Sequence, residues 1–355
     1  MHPGVYRHIP NERYHGGPGD SKSGLDLIRK SPALLRAVKS GQRERKSTKS
    51  QMTGTSIHAM VLEPDLVAET YATPFVASEG ALATIEQLKT ALTEAGVTFK
   101  SAAKKSDLEA VAREYLHGVP LLSDERAAYD IANEGKVIIE APEWDRLEKM
   151  LAAIRAHPAA MKLLSAPGEA ELSCYWHEPV IDPATGAQAL NADGTPAELL
   201  MRCRPDFWRH DGIIVDLKST SPGGASPEEF ARSIDNWRYH VQHPMYLRGA
   251  YAALKAEAAK LEDSDFADFS PPRAFVFVVV ETDACVVDGV AMGVAVYQLQ
   301  PDSVALGEQE MREDIATLHA CQQSGRWPGY SERIEPIELP AYAFTRAATR
   351  AGVPA

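Results

Sequence analysis

The sequence predicts an α/β fold, a small mixed β-sheet flanked by helices. Three observations predict it. The core segments run helix, three strands, helix, strand, strand, helix. The stretch RAFVFVVVE, Arg273–Glu281, is nearly all apolar, the pattern of a central strand buried on both faces. And CRPDFWRHDGIIVDLKST, Cys203–Thr220, reads as strand, turn, strand. The chain's 355 residues suit one main domain with additions. The expected division is 1–78 as the first part of that domain, 79–120 as an insertion, 121–335 as the core and 336–355 as a tail.

Each element has a local reason. A helix is expected over Ser23–Val38, capped by Ser23, with Leu25, Leu27, Ile28, Leu34 and Leu35 on its apolar side. The basic stretch KSGQRERKSTKSQ follows, with Lys39, Arg43, Arg45, Lys46 and Lys49 against Glu44. It reads either as a solvated loop or as a contact for phosphates. TGTSIHAMVLEP is a short helix begun at Thr53 or Thr55 and stopped by Pro64, with His58 inside it. Residues 79–117 read as two helices joined by an extended link carrying Lys100, Lys104 and Lys105, with Ser106 and Glu109 as a capping box. This segment resembles the helix–extension–helix modules of the SAP and LEM type, several of which bind DNA. Simple packing is the other reading.

A long helix is expected over Ala141–Leu164, then a strand in EAELSCYWHEPV and a turn-rich hairpin tip. LLMRCRPDFWR is the returning strand and GIIVDLKST the next. Ser226, Pro227 and Glu229 open a long helix that continues through YHVQHPMY. VAVYQLQ is a further strand, Ser303–Gln323 a helix, and the residues after Ala341 are peripheral.

Composition narrows the function. A net charge of −12 argues against nonspecific coating of nucleic acid, though an enzyme can confine its positive charge to a groove. Cys174, Cys203, Cys285 and Cys321 lack the close spacing of zinc or iron–sulfur sites and read as packing residues. With no apolar run of membrane length and no signal-peptide pattern at the start, a cytoplasmic protein without membrane contact is expected.

The chemistry lies in the strand–turn–strand. A hairpin brings Asp206 and Asp216 to neighbouring strands, roughly 5 Å apart. Asp216 and Lys218 are two apart, so they face the same way. Two carboxylates and an ammonium converging on one point call for a divalent cation. Hard oxygen ligands suit Mg2+ or Mn2+, one or two ions per site. Phosphodiester hydrolysis is the natural reaction, with Lys218 serving the attacking water or the charge developing on phosphorus. A surface turn with a salt bridge is the bland alternative. Tyr239, Gln242 and Tyr246, spaced i, i+3, i+7, share a helix face that can line the site or touch substrate phosphates.

These segments together resemble a known family. PD-x9-DxK is the signature of PD-(D/E)XK nucleases. YHGGPGDSKSGLDLIRKSPA, GTSIHAMVLEP, CRPD…IVDLKST and YHVQHPMY resemble the RecE-type exonuclease VIII members, with a RecB-like nuclease domain. The resemblance implies that His58, Asp206, Asp216 and the backbone carbonyl of Leu217 hold the metal. Glu171, or its neighbour Glu169, supplies the acid of the preceding strand. Lys218 is implied as the catalytic lysine, with Gln242, Tyr246 and Tyr239 lining the site. It further implies a Mg2+-dependent 5′→3′ exonuclease on linear duplex DNA, leaving 3′ tails for phage or prophage recombination. A homo-oligomeric ring, a tetramer, and a RecT-like annealing partner belong to the same expectation. Another nuclease of the fold, RecB-like or endonucleolytic, and a non-catalytic DNA-end-binding scaffold are the alternatives.

Overall fold

The computed structural model describes residues 1–43, 49–260, 265–340 and 343–344, the side chains of 49–51 excepted. The chain opens with strand β1 (Gly4–Tyr6) and helices α1 (Asn11–Gly16), α2 (Lys22–Lys30), α3 (Pro32–Lys39), α4 (Lys49–Leu62) and α5 (Pro64–Thr70). The single helix expected over Ser23–Val38 is therefore two. Ser31 precedes Pro32, and a proline drives the residue before it out of the helical region; Ser31 has φ −172° and ψ 126°. Nor does Ser23 cap α2, which starts behind Ser21.

Next come β2 (Tyr71–Ala72), α6 (Ile85–Glu94), α7 (Lys105–Tyr115), α8 (Leu122–Ala132) and β3 (Val137–Ile138). Helices α6 and α7 close on a small core of their own, Leu88, Leu92, Leu108, Ala112 and Leu121. The capping residue of α7 differs from expectation. The helix starts at Lys105, ahead of Ser106, and the Asp107 carboxylate accepts the Lys104 N–H at 3.2 Å. The expected long helix over Ala141–Leu164 is α9 (Ala141–Ala156) and α10 (Pro158–Leu164), broken at His157, again the residue before a proline.

The strands that follow are β4 (Gly168–Ala170), β5 (Ser173–Pro179), β6 (Glu198–Cys203), β7 (Phe207–Arg209), β8 (Ile213–Thr220), β9 (Ala274–Val287) and β10 (Val290–Tyr297). Here two expected strands are each divided. The stretch 169–180 breaks at Glu171, where φ is 54°, and 199–209 breaks at Arg204–Asp206. Each segment leaves one sheet and enters another. β5 and β6 pair antiparallel, with β1 added at the β5 edge. β4 and β7 belong to a five-stranded sheet in the order β10-β9-β8-β7-β4. In it β8 and β9 run parallel and the other neighbours antiparallel, so the sheet is mixed.

Helices α11 (Pro227–Asn236), α12 (Tyr239–Ala258) and α13 (Pro301–Ser324) complete the core. The Ser226 hydroxyl caps α11 by accepting the Glu229 N–H at 3.4 Å. The expected continuous helix is interrupted at Trp237–Arg238, where Arg238 takes a left-handed φ of 54°.

Strand alternation sorts side chains onto two covered faces. Val215, Leu217, Val278 and Val280 pack against Ile57 of α4 and Leu147, Met150 and Ile154 of α9. Ile214, Phe275 and Phe277 pack on the other side with Val241 and Met245 of α12. Each such buried side chain contributes about 1.5–3 kcal/mol. The same alternation puts Asp216 and Lys218 on the α12 face. No helix among the described residues is long and apolar enough to cross a membrane.

Candidate metal centre

The two places where the chain crosses between sheets lie side by side. The Glu171 N–H donates to the Asp206 carbonyl at 3.1 Å, so the crossing after β4 and the crossing before β7 brace one another. Helix α4 brings His58 to the same point. Its close approach to β8 is allowed by Gly54, where a Cβ would stand 3.2 Å from the Ser219 hydroxyl. Thr53 fixes the helix from behind, donating to Glu143 of α9 at 2.6 Å. His58 Nδ1 is then 3.6 Å from Asp206 Oδ2. Among the described residues, His58, Glu171 and Asp206 offer ligand atoms that all lie within 4.8 Å of one another.

Asp206 is further fixed by the Leu217 N–H, which donates to Oδ2 at 2.8 Å. A strand residue's N–H and C=O point to the same edge. The Leu217 carbonyl therefore faces the edge where Asp206 sits.

The choice between Glu169 and Glu171 is decided by partners. Arg7 grips Glu169 with two hydrogen bonds, at 2.5 and 2.6 Å. Glu171, turned by its left-handed backbone, joins His58 and Asp206. Behind it stands Arg204, 3.9 Å away. That guanidinium is immobilised by Ser173 Oγ at 2.9 Å, Asn11 Oδ1 at 2.7 Å and the Ile9 carbonyl at 2.8 Å, and it lies 3.9 Å over the Tyr14 ring. Arg204 was not singled out from sequence. Its place two residues before Asp206, in MRCRPD, was the available signal.

Asp216 does not join the group of three. Its carboxylate is held by the Lys218 ammonium on one oxygen and by the Gln242 amide on the other. Lys218 in turn lies 4.8 Å over the Tyr239 ring. Tyr246 packs edge-on against Phe275, ring centres 5.9 Å apart, close enough to Asp206 and Asp216 for their charges to add to burial in pushing its hydroxyl pKa up. Tyr239, Gln242 and Tyr246 thus all turn toward the β8 side of α12. Of the basic stretch, Arg43 is exposed, Arg45 and Lys46 lie outside the described residues, and Lys49 opens α4 with its side chain outside them.

Electrostatics mark the centre as short of positive charge. Burial, then Asp206, Glu63 and Asp216, push the Glu171 carboxyl up to about 8 against the pull of Arg204. Burial and Asp206 push Asp216 up to about 6 even with Lys218 beside it. Burial alone would lower the Lys218 pKa; Asp216, Asp206 and Tyr239 outweigh it and hold the ammonium charged. An imidazole and two carboxylates that resist ionising together form a donor set that fits a divalent cation. Such a cation supplies a polarised phosphoryl oxygen and a bound water of lowered pKa.

The family described as "PDDEXK-like domain of unknown function (DUF3799)" matches residues 21–340. The crystal structure of a "Putative exonuclease" from Eubacterium rectale aligns over 96% of this chain and 99% of that one, at 9% identity and a TM-score of 0.44. No curated protein matches. With the match extending over most of its length, the chain belongs to the DUF3799 family of PDDEXK-like domains.

Proposed function

We propose that this protein is a divalent-metal-dependent exonuclease that hydrolyses linear double-stranded DNA. The observation that carries the reading is one juxtaposition. The donor set His58, Glu171 and Asp206 stands beside Asp216 and a half-buried, charged Lys218 on the adjoining strand.

In this reading His58, Glu171 and Asp206 hold Mg2+ or Mn2+, with Asp216 and the Leu217 carbonyl next to them. Lys218 places its ammonium where negative charge grows on the phosphoryl oxygens during attack. Asp216 orients that ammonium, and Gln242 orients Asp216. Tyr239 and Tyr246 wall the site on the α12 side and limit bulk water there. A preorganised cation in a partly buried site stabilises developing charge far better than one in water.

Degradation of the 5′-ended strand, a ring of identical subunits and a RecT-like annealing partner in phage or prophage recombination rest on the motifs quoted above. Digestion of linear duplex carrying label at either the 5′ or the 3′ end, beside covalently closed circular DNA, tests the substrate. Release of 5′ label first, with the circle intact, is expected in Mg2+. Nicking of the circle would make the enzyme an endonuclease, and 3′ label released first would reverse the polarity.

A further inference from the structure

We propose that Trp237 is a base-stacking platform for the DNA strand that enters the site, an inference that rests on the nuclease reading and extends it. Trp237 is the one exposed tryptophan of the chain's five, at 63%; Trp176 and Trp208 are buried, and Trp144 and Trp327 half-buried. An exposed indole is not by itself a site. What distinguishes this one is how its backbone is held and what lies next to it.

Trp237 ends α11, its N–H donating to the Ser233 carbonyl at 3.0 Å. The Lys22 ammonium donates to its carbonyl. The next residue, Arg238, occupies a left-handed conformation that costs a non-glycine residue free energy and persists only when its surroundings impose it. They do so here with three carboxylates. Arg238 donates to Glu310 at 2.9 Å, Asp314 at 2.6 Å and Asp26 at 3.3 Å. Lys22 is itself paired to Asp26 at 2.8 Å. A strained, multiply anchored corner therefore carries an indole that, among the described residues, has no hydrogen bond or ring contact of its own.

The corner adjoins the candidate centre. Lys22 lies 5.5 Å from the centre of the Tyr239 ring and Lys218 lies 4.8 Å from it. Two ammonium groups thus flank one tyrosine, with the tryptophan one residue beyond Arg238. Aromatic rings that take bases beside a cation at the phosphate are one means by which proteins hold single-stranded nucleic acid; Lys218 is that cation here, while Lys22, only 11% exposed and paired to Asp26, anchors the corner. Stacking has no sequence preference, because every base has a π-face, and this suits an enzyme that must accept any terminal nucleotide.

The test uses the full chain carrying Lys218→Met, which blocks turnover, with Ca2+ present. A short linear duplex and one of its single strands serve as probes. Affinity is read by anisotropy of labelled DNA, and stacking by quenching of tryptophan fluorescence with unlabelled DNA. Trp237→Ala is expected to weaken binding by about 5- to 150-fold, the range that one base–aromatic stack corresponds to. Trp237→Phe is expected to keep most of the affinity while abolishing the quench, and a thermal melt verifies that both variants fold. Unchanged affinity in Trp237→Ala, or quenching that survives in Trp237→Phe, overturns the proposal and leaves the nuclease reading standing if the parent protein digests DNA. A parent that binds neither probe overturns both.

Discussion

Gln242 of α12 donates its side-chain amide to the Asp216 carboxylate of β8, tying helix to strand at the candidate centre. The other Asp216 oxygen is engaged by Lys218. The glutamine thus sets the orientation of the acid that sets the orientation of the lysine. Gln242→Leu is expected to lower the rate of DNA digestion by about 10- to 100-fold, the scale at which a mispositioned catalytic group acts. Gln242→Glu should be the more harmful, because it sets a second carboxylate against Asp216. Steady-state rates of the two variants decide this; equal rates in Gln242→Leu and the parent would remove the residue from the site.

Removing a metal donor should act on metal affinity before anything else. Titration calorimetry with Mn2+ is expected to show binding weakened by at least about 100-fold in Asp206→Asn. Arg204→Met, which releases Glu171 from its brace, should weaken it by about 10- to 100-fold, as loss of an outer-shell partner does. Unaltered Mn2+ affinity in Asp206→Asn would exclude that carboxylate as a ligand.

The raised Glu171 pKa gives a pH dependence of definite sign. Its folded value, about 8, lies above the ordinary 4.5, so the native state binds more protons than the unfolded state between these values. Stability of the metal-free protein therefore falls as pH rises from about 4.5 to about 8. Asp216 adds the same sign between 3.8 and about 6. Urea unfolding at pH 5 and pH 8 without divalent cation should show the fall, and Glu171→Gln should flatten it. Because ligands bind metal deprotonated, added Mg2+ should raise the melting temperature more at pH 8 than at pH 6. A Glu171→Gln protein with the parental slope would contradict this.

Gly307 of α13 allows that helix to rest on the start of α12. A Cβ there would stand 1.9 Å from the His240 carbonyl oxygen, and backbone cannot rotate aside as a side chain can. Gly307→Ala is expected to cost about 1–3 kcal/mol and to reduce activity as well, since the displaced turn of α12 carries Tyr239 and Gln242. Chemical denaturation and digestion rate measured on one preparation would separate the two effects.

Much of this architecture is legible in sequence because strand and helix periods are local. A separation of two positions puts Asp216 and Lys218 on one face of an apolar strand, and the spacing of Tyr239, Gln242 and Tyr246 puts those on one face of a helix. The apolar run at the start of β9 marks an interior strand of the five-stranded sheet, with β8 at its centre. Two of the helix breaks share one cause. Ser31 and His157 each precede a proline, whose steric effect ended helices that apolar periodicity alone would have continued. The divisions at Glu171 and at Arg204–Asp206 could not be read locally, because each strand changes sheets to satisfy packing far along the chain. Choosing Glu171 over Glu169 needed Arg7, more than 160 residues upstream in sequence. The pairing of Asp216 with Lys218 and Gln242, apart from the other three donors, is likewise a matter of side-chain partners that spacing does not encode.

The most direct test is the release of acid-soluble label from linear duplex DNA by the parent protein and by Lys218→Met, each in Mg2+ and in EDTA. Release by the parent in Mg2+ alone is expected, with EDTA abolishing it and Lys218→Met lowering it by at least about 1,000-fold while DNA binding persists. Digestion that continues undiminished in EDTA, or in Lys218→Met, would contradict a metal centre built on His58, Glu171 and Asp206 and served by that lysine.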